Sequence, residues 1–203
     1  MYRNYLKSIL DLILCLLLFP LFLPIIFIIY FILLIQIGSP IFVQKRPGLH
    51  NKFFNLYKFK TIIDKNCKGF KNKKKLFMFG SFLRSTGLDE LPQLINVLKG
   101  EISFVGPRPL RIKYLKIPAF RKHVRNKCKP GITGLAQIEV FKIKKRQINQ
   151  KWKKNFKLDK YYFHNLSFLL DMKILILTFF KFLSLSKKID LTKEPKLLDK
   201  YIN

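Results

Sequence analysis

The chain has 203 residues and carries 40 Lys and Arg against 11 Asp and Glu, a formal net charge of +29, yet 49% of its residues are apolar and 21 are phenylalanine. This excludes a chain disordered through low hydrophobicity, and the length suffices for one domain with its own core. Cys15, Cys67 and Cys128, like His50, His123 and His164, are too scattered for a disulfide framework or a zinc site, and reduced thiols suit a cytoplasm-facing protein.

The apolar residues are bunched near the N-terminus, which argues against a free cytosolic enzyme. No charge interrupts Leu12–Ile37. A signal peptide would show a shorter apolar stretch and a small-residue cleavage site, and neither is present. As one straight helix the stretch would exceed the ~30 Å hydrocarbon core of a bilayer. Pro20 and Pro24 sit in its middle. Each removes a helical N–H and crowds the preceding turn, which predicts two arms of roughly a dozen residues, each ~18 Å long and too short to cross alone. Arg3 and Lys7 precede the stretch; Lys45, Arg46, Lys52, Lys58 and Lys60 follow it. Positive charge favours the cytoplasmic side, and both flanks claim it. A re-entrant helix, broken at the prolines, meets both demands. A single spanning helix and a buried soluble helix are the other readings.

Ile41–Val43 and Phe53–Lys60 read as two strands joined by a turn through Arg46-Pro47-Gly48 and His50-Asn51-Lys52. The side-chain period of two places Lys58 and Lys60 on one face, with Tyr57 and Phe59 on the other. On pattern alone the two lysines are a solvated strand edge. Asp64 to Lys75 is a polar, Lys-rich loop. Asp89–Lys99 reads as a helix with Leu91, Leu94, Ile95 and Leu98 on one side, Asp89 as N-cap, Pro92 in the first turn and Gly100 closing it. Leu166–Leu185 is apolar but interrupted by Asp171, Lys173 and Lys181. Ser167, Asp171, Thr178, Lys181, Ser184 and Lys188 form a polar stripe along it, the mark of a helix that packs on a core or lies in the membrane interface. Residues 187–203 read as a polar tail.

Acids are scarce, so their position carries information. Between Lys65 and Gly100 there are two, Asp89 and Glu90, at a helix start, with Arg84, Lys99 and Arg108 nearby in sequence. Capping and dipole compensation would explain an isolated Asp-Glu pair. Phosphate chemistry would use the same pieces: a helix N-terminus for an anion, arginine forks for phosphoryl oxygens, and a carboxylate that attacks or holds Mg²⁺. A structural salt-bridge cluster fits the spacing equally.

The run Arg84-Ser85-Thr86-Gly87-Leu88-Asp89-Glu90-Leu91-Pro92-Gln93-Leu94, followed by Asn96-Val97-Leu98-Lys99-Gly100 and Ser103-Phe104-Val105-Gly106-Pro107-Arg108-Pro109-Leu110, resembles the bacterial sugar transferase family. Further agreement lies in Gln44-Lys45-Arg46-Pro47-Gly48, Leu56-Tyr57-Lys58-Phe59-Lys60-Thr61, Lys129-Pro130-Gly131-Ile132-Thr133-Gly134, Ala136-Gln137 and Leu158-Asp159-Lys160-Tyr161-Tyr162. The similarity covers residues 5 to 185, and the length matches small members consisting of the catalytic core. The resemblance implies a monotopic phosphoglycosyl transferase of α+β class, mostly helical with a short β-hairpin, a re-entrant N-terminal helix (1–37), a catalytic domain (38–186) ending in an interfacial amphipathic helix, and the tail. It implies a place on the cytoplasmic face of the bacterial inner membrane.

By the same resemblance Asp89 is the nucleophile, forming a covalent phosphosugar from a UDP-sugar with loss of UMP. Glu90 is the ligand of Mg²⁺, and Lys58, Arg84 and Arg108 bind the diphosphate. Polyprenyl phosphate then takes the phosphosugar, the first step of polysaccharide or glycoconjugate assembly. Membrane lipids are the remaining partner; no specific nucleic-acid binding is implied, and the charge alone would give salt-sensitive binding to any polyanion. Three positions depart from the family pattern. Leu23 replaces the serine before Pro24, Leu135 replaces a tryptophan, and Glu139-Val140-Phe141 replaces Asn-Gly-Arg, whose arginine helps bind nucleotide in relatives. Arg146 follows in a Lys-rich stretch. A catalytically impaired, membrane-anchored relative acting as a scaffold is the alternative these departures leave open.

Overall fold

The computed structural model describes residues 2–63, 75–139 and 148–185. The Lys-rich run from Asp64, the positions Val140, Phe141, Arg146 and Lys188, and the tail lie outside the described residues.

A π-helical turn, Tyr2–Leu6, leads into a long helix, α1 (Lys7–Ile37), which ends at Gly38. Gly38 has φ 71° and returns its N–H to Leu34 O at 2.9 Å, a left-handed cap that glycine adopts without steric cost. α1 is helical through both Pro20 and Pro24, so the expected non-helical gap between two arms is absent. Each proline withdraws one backbone donor, and tertiary contacts carry the helix across the loss. Leu14, Leu18, Phe19 and Phe22 pack on the main core; Ile29 and Leu33 form a second cluster with Phe59 and Leu83. Of the whole helix, Lys7, Cys15, Ile29 and Leu33 are buried. Leu17, Leu21, Ile28 and Ile35 stand exposed, and the helix is long and apolar enough to cross a membrane.

The strands β1 (Ile41–Pro47) and β2 (Phe53–Phe59) form an antiparallel hairpin with Ile41 opposite Phe59 and Pro47 opposite Phe53. β1 extends four residues beyond the expected Ile41–Val43, because backbone pairing to Pro47 needs no apolar alternation. The turn contains a 3₁₀ segment, Leu49–Asn51, with His50 and Asn51 at φ 52° and 60°. Two smaller sheets follow: β3 (Ile62–Ile63) pairs antiparallel with β4 (Lys75–Leu76), and β5 (Ser103–Val105) pairs parallel with β6 (Gly131–Thr133). Between β4 and β5 lie α2 (Met78–Thr86), a 3₁₀ segment (Leu88–Gln93) and α3 (Leu94–Leu98). Between β5 and β6 come a 3₁₀ segment (Ile112–Lys116), α4 (Pro118–Arg121) and another 3₁₀ segment (Val124–Lys127); α5 (Leu135–Glu139), α6 (Ile148–His164) and α7 (Phe168–Leu185) complete the described chain. The class is α+β and mostly helical, with the hairpin as expected.

The helix expected over Asp89–Lys99 is a composite. Its first half, Leu88–Gln93, is 3₁₀, with Glu90 N–H on Gly87 O at 3.0 Å, and it relaxes into α3 from Leu94. Gly100 closes it with φ 69°, its N–H on Val97 O at 2.8 Å. In α7 Asp171 and Thr178 of the polar stripe turn inward, while Ser167 stays exposed. Asp171 is buried, accepting from Lys7 Nζ at 2.5 Å and from the hydroxyls of Tyr2 and Tyr162 at 2.7 Å each. Thr178 and Thr133 share a hydroxyl bond of 2.7 Å. Leu169, Ile176, Phe179 and Phe180 face outward instead, with Leu169 79% exposed.

Leu83 is fully buried where α2 meets Phe59, Ile29 and Leu33. Leu83→Ala keeps helix propensity and leaves a cavity, so it should cost about 2–5 kcal/mol of stability. A thermal melt in detergent micelles checks this.

Candidate active site

β2 delivers Lys58 to the centre of the molecule. Its period-two neighbour Lys60 is half-buried, donating to Ser39 Oγ at 3.0 Å, while the opposite face of the strand buries Phe59. The lysines are therefore not one solvated edge. β2 is fixed from the side by Asn96, which is fully buried. Asn96 Oδ1 accepts from Tyr57 N–H at 3.1 Å, and Asn96 Nδ2 donates to Asn55 O at 2.7 Å and Glu101 Oε2 at 2.6 Å. Each amide hydrogen and the carbonyl thus has a partner, which is the condition for burying the group.

α2 ends at Gly87, φ 69°, and the chain re-starts at once in the 3₁₀ turn that carries Asp89 and Glu90. The N-cap position is Gly87 and no side chain caps the turn, so the expected N-cap role of Asp89 is not observed. Among the described residues Asp89 makes no side-chain hydrogen bond or ion pair. Glu90 Oε1 meets both Lys58 Nζ and, at 3.0 Å, Arg108 Nη2. Arg108 itself is exposed along most of its side chain. Arg84 donates through Nε to Thr61 Oγ1 at 2.7 Å rather than to either carboxylate. Lys99 sits over the Tyr57 ring at 5.0 Å and does not join the group.

The Arg108 loop is brought in by the close approach of two backbones. Gly106 N–H bonds Thr133 O at 2.9 Å and Gly131 N–H bonds Pro107 O at 3.1 Å. A Cβ on Gly131 would lie 2.1 Å from Gly106 N, so only glycine permits this approach. The Val-Gly-Pro-Arg-Pro and Pro-Gly-Ile-Thr-Gly motifs are two sides of one contact.

Electrostatics separate the neighbouring acids. Burial raises the Glu90 pKa, but Arg108 and Lys58 together outweigh it and hold the carboxyl below its ordinary range. Burial lifts Asp89 above its usual value; Lys58, Arg84 and Arg108 offset this in part, while the Glu90 charge adds to it. Burial lowers Lys58, against the upward pull of Glu90. No cluster of three or more His, Cys, Asp or Glu occurs among the described residues. Oxygens remain open even so: both of Asp89, and Oε2 of Glu90, bond to no described residue. A hard cation that takes one or two carboxylates and completes its shell with phosphate oxygens fits that donor set.

Sequence reasoning assigned no role to three residues that shape this centre. Thr61 and Asn96 lie within recognised motifs but carry no charge to mark them. Arg125 pairs with Asp159, the one acid between residues 140 and 170, and donates to the carbonyl of Arg108.

The bacterial sugar transferase family model matches residues 2–185, and the chain belongs to that family. The uncharacterized sugar transferase EpsL of Bacillus subtilis is 47% identical over 151 residues, 72% of this chain and 72% of EpsL. UDP-glucose:undecaprenyl-phosphate glucose-1-phosphate transferases of Klebsiella pneumoniae and Escherichia coli are 40% and 37% identical over 154 and 162 residues. Those matches take in 71% and 73% of this chain but 32% and 34% of the two enzymes, so the chain spans about a third of their length.

Glu90→Gln removes the charge that sustains the Lys58 proton in its buried position, so the Lys58 pKa should fall further. Acetylation with a limiting reagent across pH 7–9, read by mass spectrometry, should then modify Lys58 faster than in the parent protein. An unchanged rate would show that Glu90 does not hold that proton.

Proposed function

We infer that the chain is a phosphoglycosyl transferase that moves a sugar-1-phosphate from a UDP-sugar to polyprenyl phosphate, beginning polysaccharide or glycoconjugate assembly. The single observation that carries this reading is the pairing of an unengaged carboxylate, Asp89, with a neighbour locked between two cations. The names of the two glucose-1-phosphate transferases support the substrate class.

In this reading an Asp89 oxygen attacks the β-phosphorus of the UDP-sugar. The bond from that phosphorus to the bridging oxygen breaks and UMP leaves, with the sugar phosphate now on Asp89. An oxygen of polyprenyl phosphate then attacks the same phosphorus, the Asp89 bond breaks, and the carboxylate is restored. Lys58 and Arg108 face the developing charge on the phosphoryl oxygens, and Arg84 stands at the rim. Mg²⁺ would be held by Glu90 through its open oxygen together with substrate phosphates, and would supply charge neutralisation there. The replacement of Asn-Gly-Arg by Glu139-Val140-Phe141 favours the scaffold alternative, and the same assay separates the two.

Asp89→Asn should abolish UMP release from a panel of UDP-sugars incubated with polyprenyl phosphate and Mg²⁺. It should also abolish the phosphosugar adduct seen by intact mass without acceptor; an adduct on the variant would remove Asp89 as nucleophile. Because the Asp89 pKa is raised, the carboxylate is lost at a higher pH than for an ordinary aspartate. The acid limb of turnover should accordingly lie above ~3.9.

The reading includes association with the cytoplasmic face of the inner membrane, both ends of α1 on that side. Contacts at both ends support it: Lys7 meets Asp171, and Ile29 and Leu33 meet Phe59 and Leu83 of the same body. The flanking basic residues would add ~1 kcal/mol each against an anionic leaflet. Cysteines at Asn4 and His50, in a background lacking Cys15, Cys67 and Cys128, should both resist a membrane-impermeant maleimide on intact cells. Labelling of position 4 alone would establish a spanning helix.

A further inference from the structure

The Leu158-Asp159-Lys160-Tyr161-Tyr162 motif lies on α6, away from the carboxylates, and the reaction as drawn makes no use of it. Its geometry is nonetheless directed at one segment. Asp159 and Tyr162, one helical turn apart, share a face of α6. The Tyr162 hydroxyl, whose proton goes to Asp171 Oδ1 at 2.7 Å, also lies 3.0 Å from Val105 O. Asp159 Oδ2 pairs with Arg125 Nη1 at 3.1 Å, both side chains almost wholly buried. The second nitrogen of that guanidinium, Nη2, donates to the backbone carbonyl of Arg108. Phe156, one turn before Asp159, lies under the guanidinium at 5.7 Å. From the opposite side Arg46 Nη1 donates to Pro109 O at 3.3 Å. The carbonyls of Arg108 and Pro109 are thus both held by side chains from outside the loop.

We propose that Arg125, oriented by Asp159, is a positioning residue that fixes the backbone at Arg108 so that its guanidinium reaches Glu90 and the phosphate site. The proposal rests on the reading of Arg108 as a phosphate-site residue. A buried ion pair is weak evidence for stability on its own, since desolvation offsets much of the attraction. This pair has a further output, a donor spent on a carbonyl of a loop that carries an exposed arginine. Burial pushes the Asp159 pKa up to about 6 even with Arg125 pulling it down, so the site is one where removing a partner is felt. A planar fork serves two acceptors at once, which the point charge of lysine at the same place does not.

The test uses the full chain in nanodiscs, with UMP release from UDP-sugars as one readout and hydrogen exchange of the peptide spanning residues 106–110 as another. Arg125→Lys keeps a cation against Asp159 and gives up the carbonyl. It should speed exchange in that peptide while leaving β1–β2 unchanged, and lower kcat by about 10-fold to 10²-fold with KM for the UDP-sugar little altered. Asp159→Asn should do the same. In an Arg108→Lys background, which itself loses about 10²-fold, adding Arg125→Lys should cost less than about twofold, because residues acting through one another are not additive. Unchanged exchange in the peptide, or losses that multiply in the double variant, would overturn the proposal. Should Asp159→Asn fail to accumulate as folded protein, the Arg125→Lys arms decide. Absence of UMP release from the parent protein with every sugar would sink the catalytic reading, while the exchange arm would still report on the loop.

Discussion

An ionised carboxylate withdrawn from water persists only where cations or donors face it, and the arrangement around Glu90 depends on that constraint. Its two partners come from distant parts of the chain, Lys58 from β2 and Arg108 from the loop after β5. Each is delivered by a separate device. Phe59 anchors β2 against Leu83 and the end of α1, and Asn96 binds the strand edge beside Lys58. Gly106 and Gly131 let the Arg108 loop lie against β6. Remove any one device and the carboxylate faces a single cation instead of two. The logic is electrostatic, and the hairpin, the 3₁₀ turn and the parallel strand pair are the means of satisfying it.

Asp89 and Glu90 show what local placement does to identical chemistry. They are adjacent on one short turn, yet their pKa values move in opposite directions. Glu90 touches both cations and stays charged. Asp89 sits within their field but not in contact, so burial weighs more and its oxygens remain unclaimed. A carboxylate engaged by two cations is a poor nucleophile and a good fixed charge; one without contacts is the reverse. The opposite shifts of the pair are therefore set by which carboxylate reaches the two cations from the 3₁₀ turn.

Much of this was legible in the sequence, where chemistry concentrated in few residues. The scarcity of acids marked Asp89 and Glu90, the period of two marked β2, and the Gly-Pro-Arg-Pro run marked Arg108. What escaped was of two kinds. The three-residue strands β5 and β6 are too short for periodicity to register, and their parallel pairing joins residues far apart in the chain. Arg125 and Asn96 act on backbone carbonyls and amides, and a sequence records no backbone position. The prolines of α1 mark a break by a local rule, and the helical backbone carries through both. In α7 the period of the polar stripe was visible, but not its direction.

At Asp171 the stripe faces inward, with Leu169 and Phe179 outside. Asp171 then offers a measure for the other acids. Its two oxygens are both occupied, Oδ2 by Lys7 and Tyr2 and Oδ1 by Tyr162. Asp171, which ties α1 to α7, leaves neither oxygen without a partner, whereas the buried Oδ2 of Asp11 has none among the described residues. Glu90 uses one oxygen and Asp89 uses neither among the described residues. The pair at the start of the 3₁₀ turn thus differs from Asp171 in keeping oxygens that bond to no described residue.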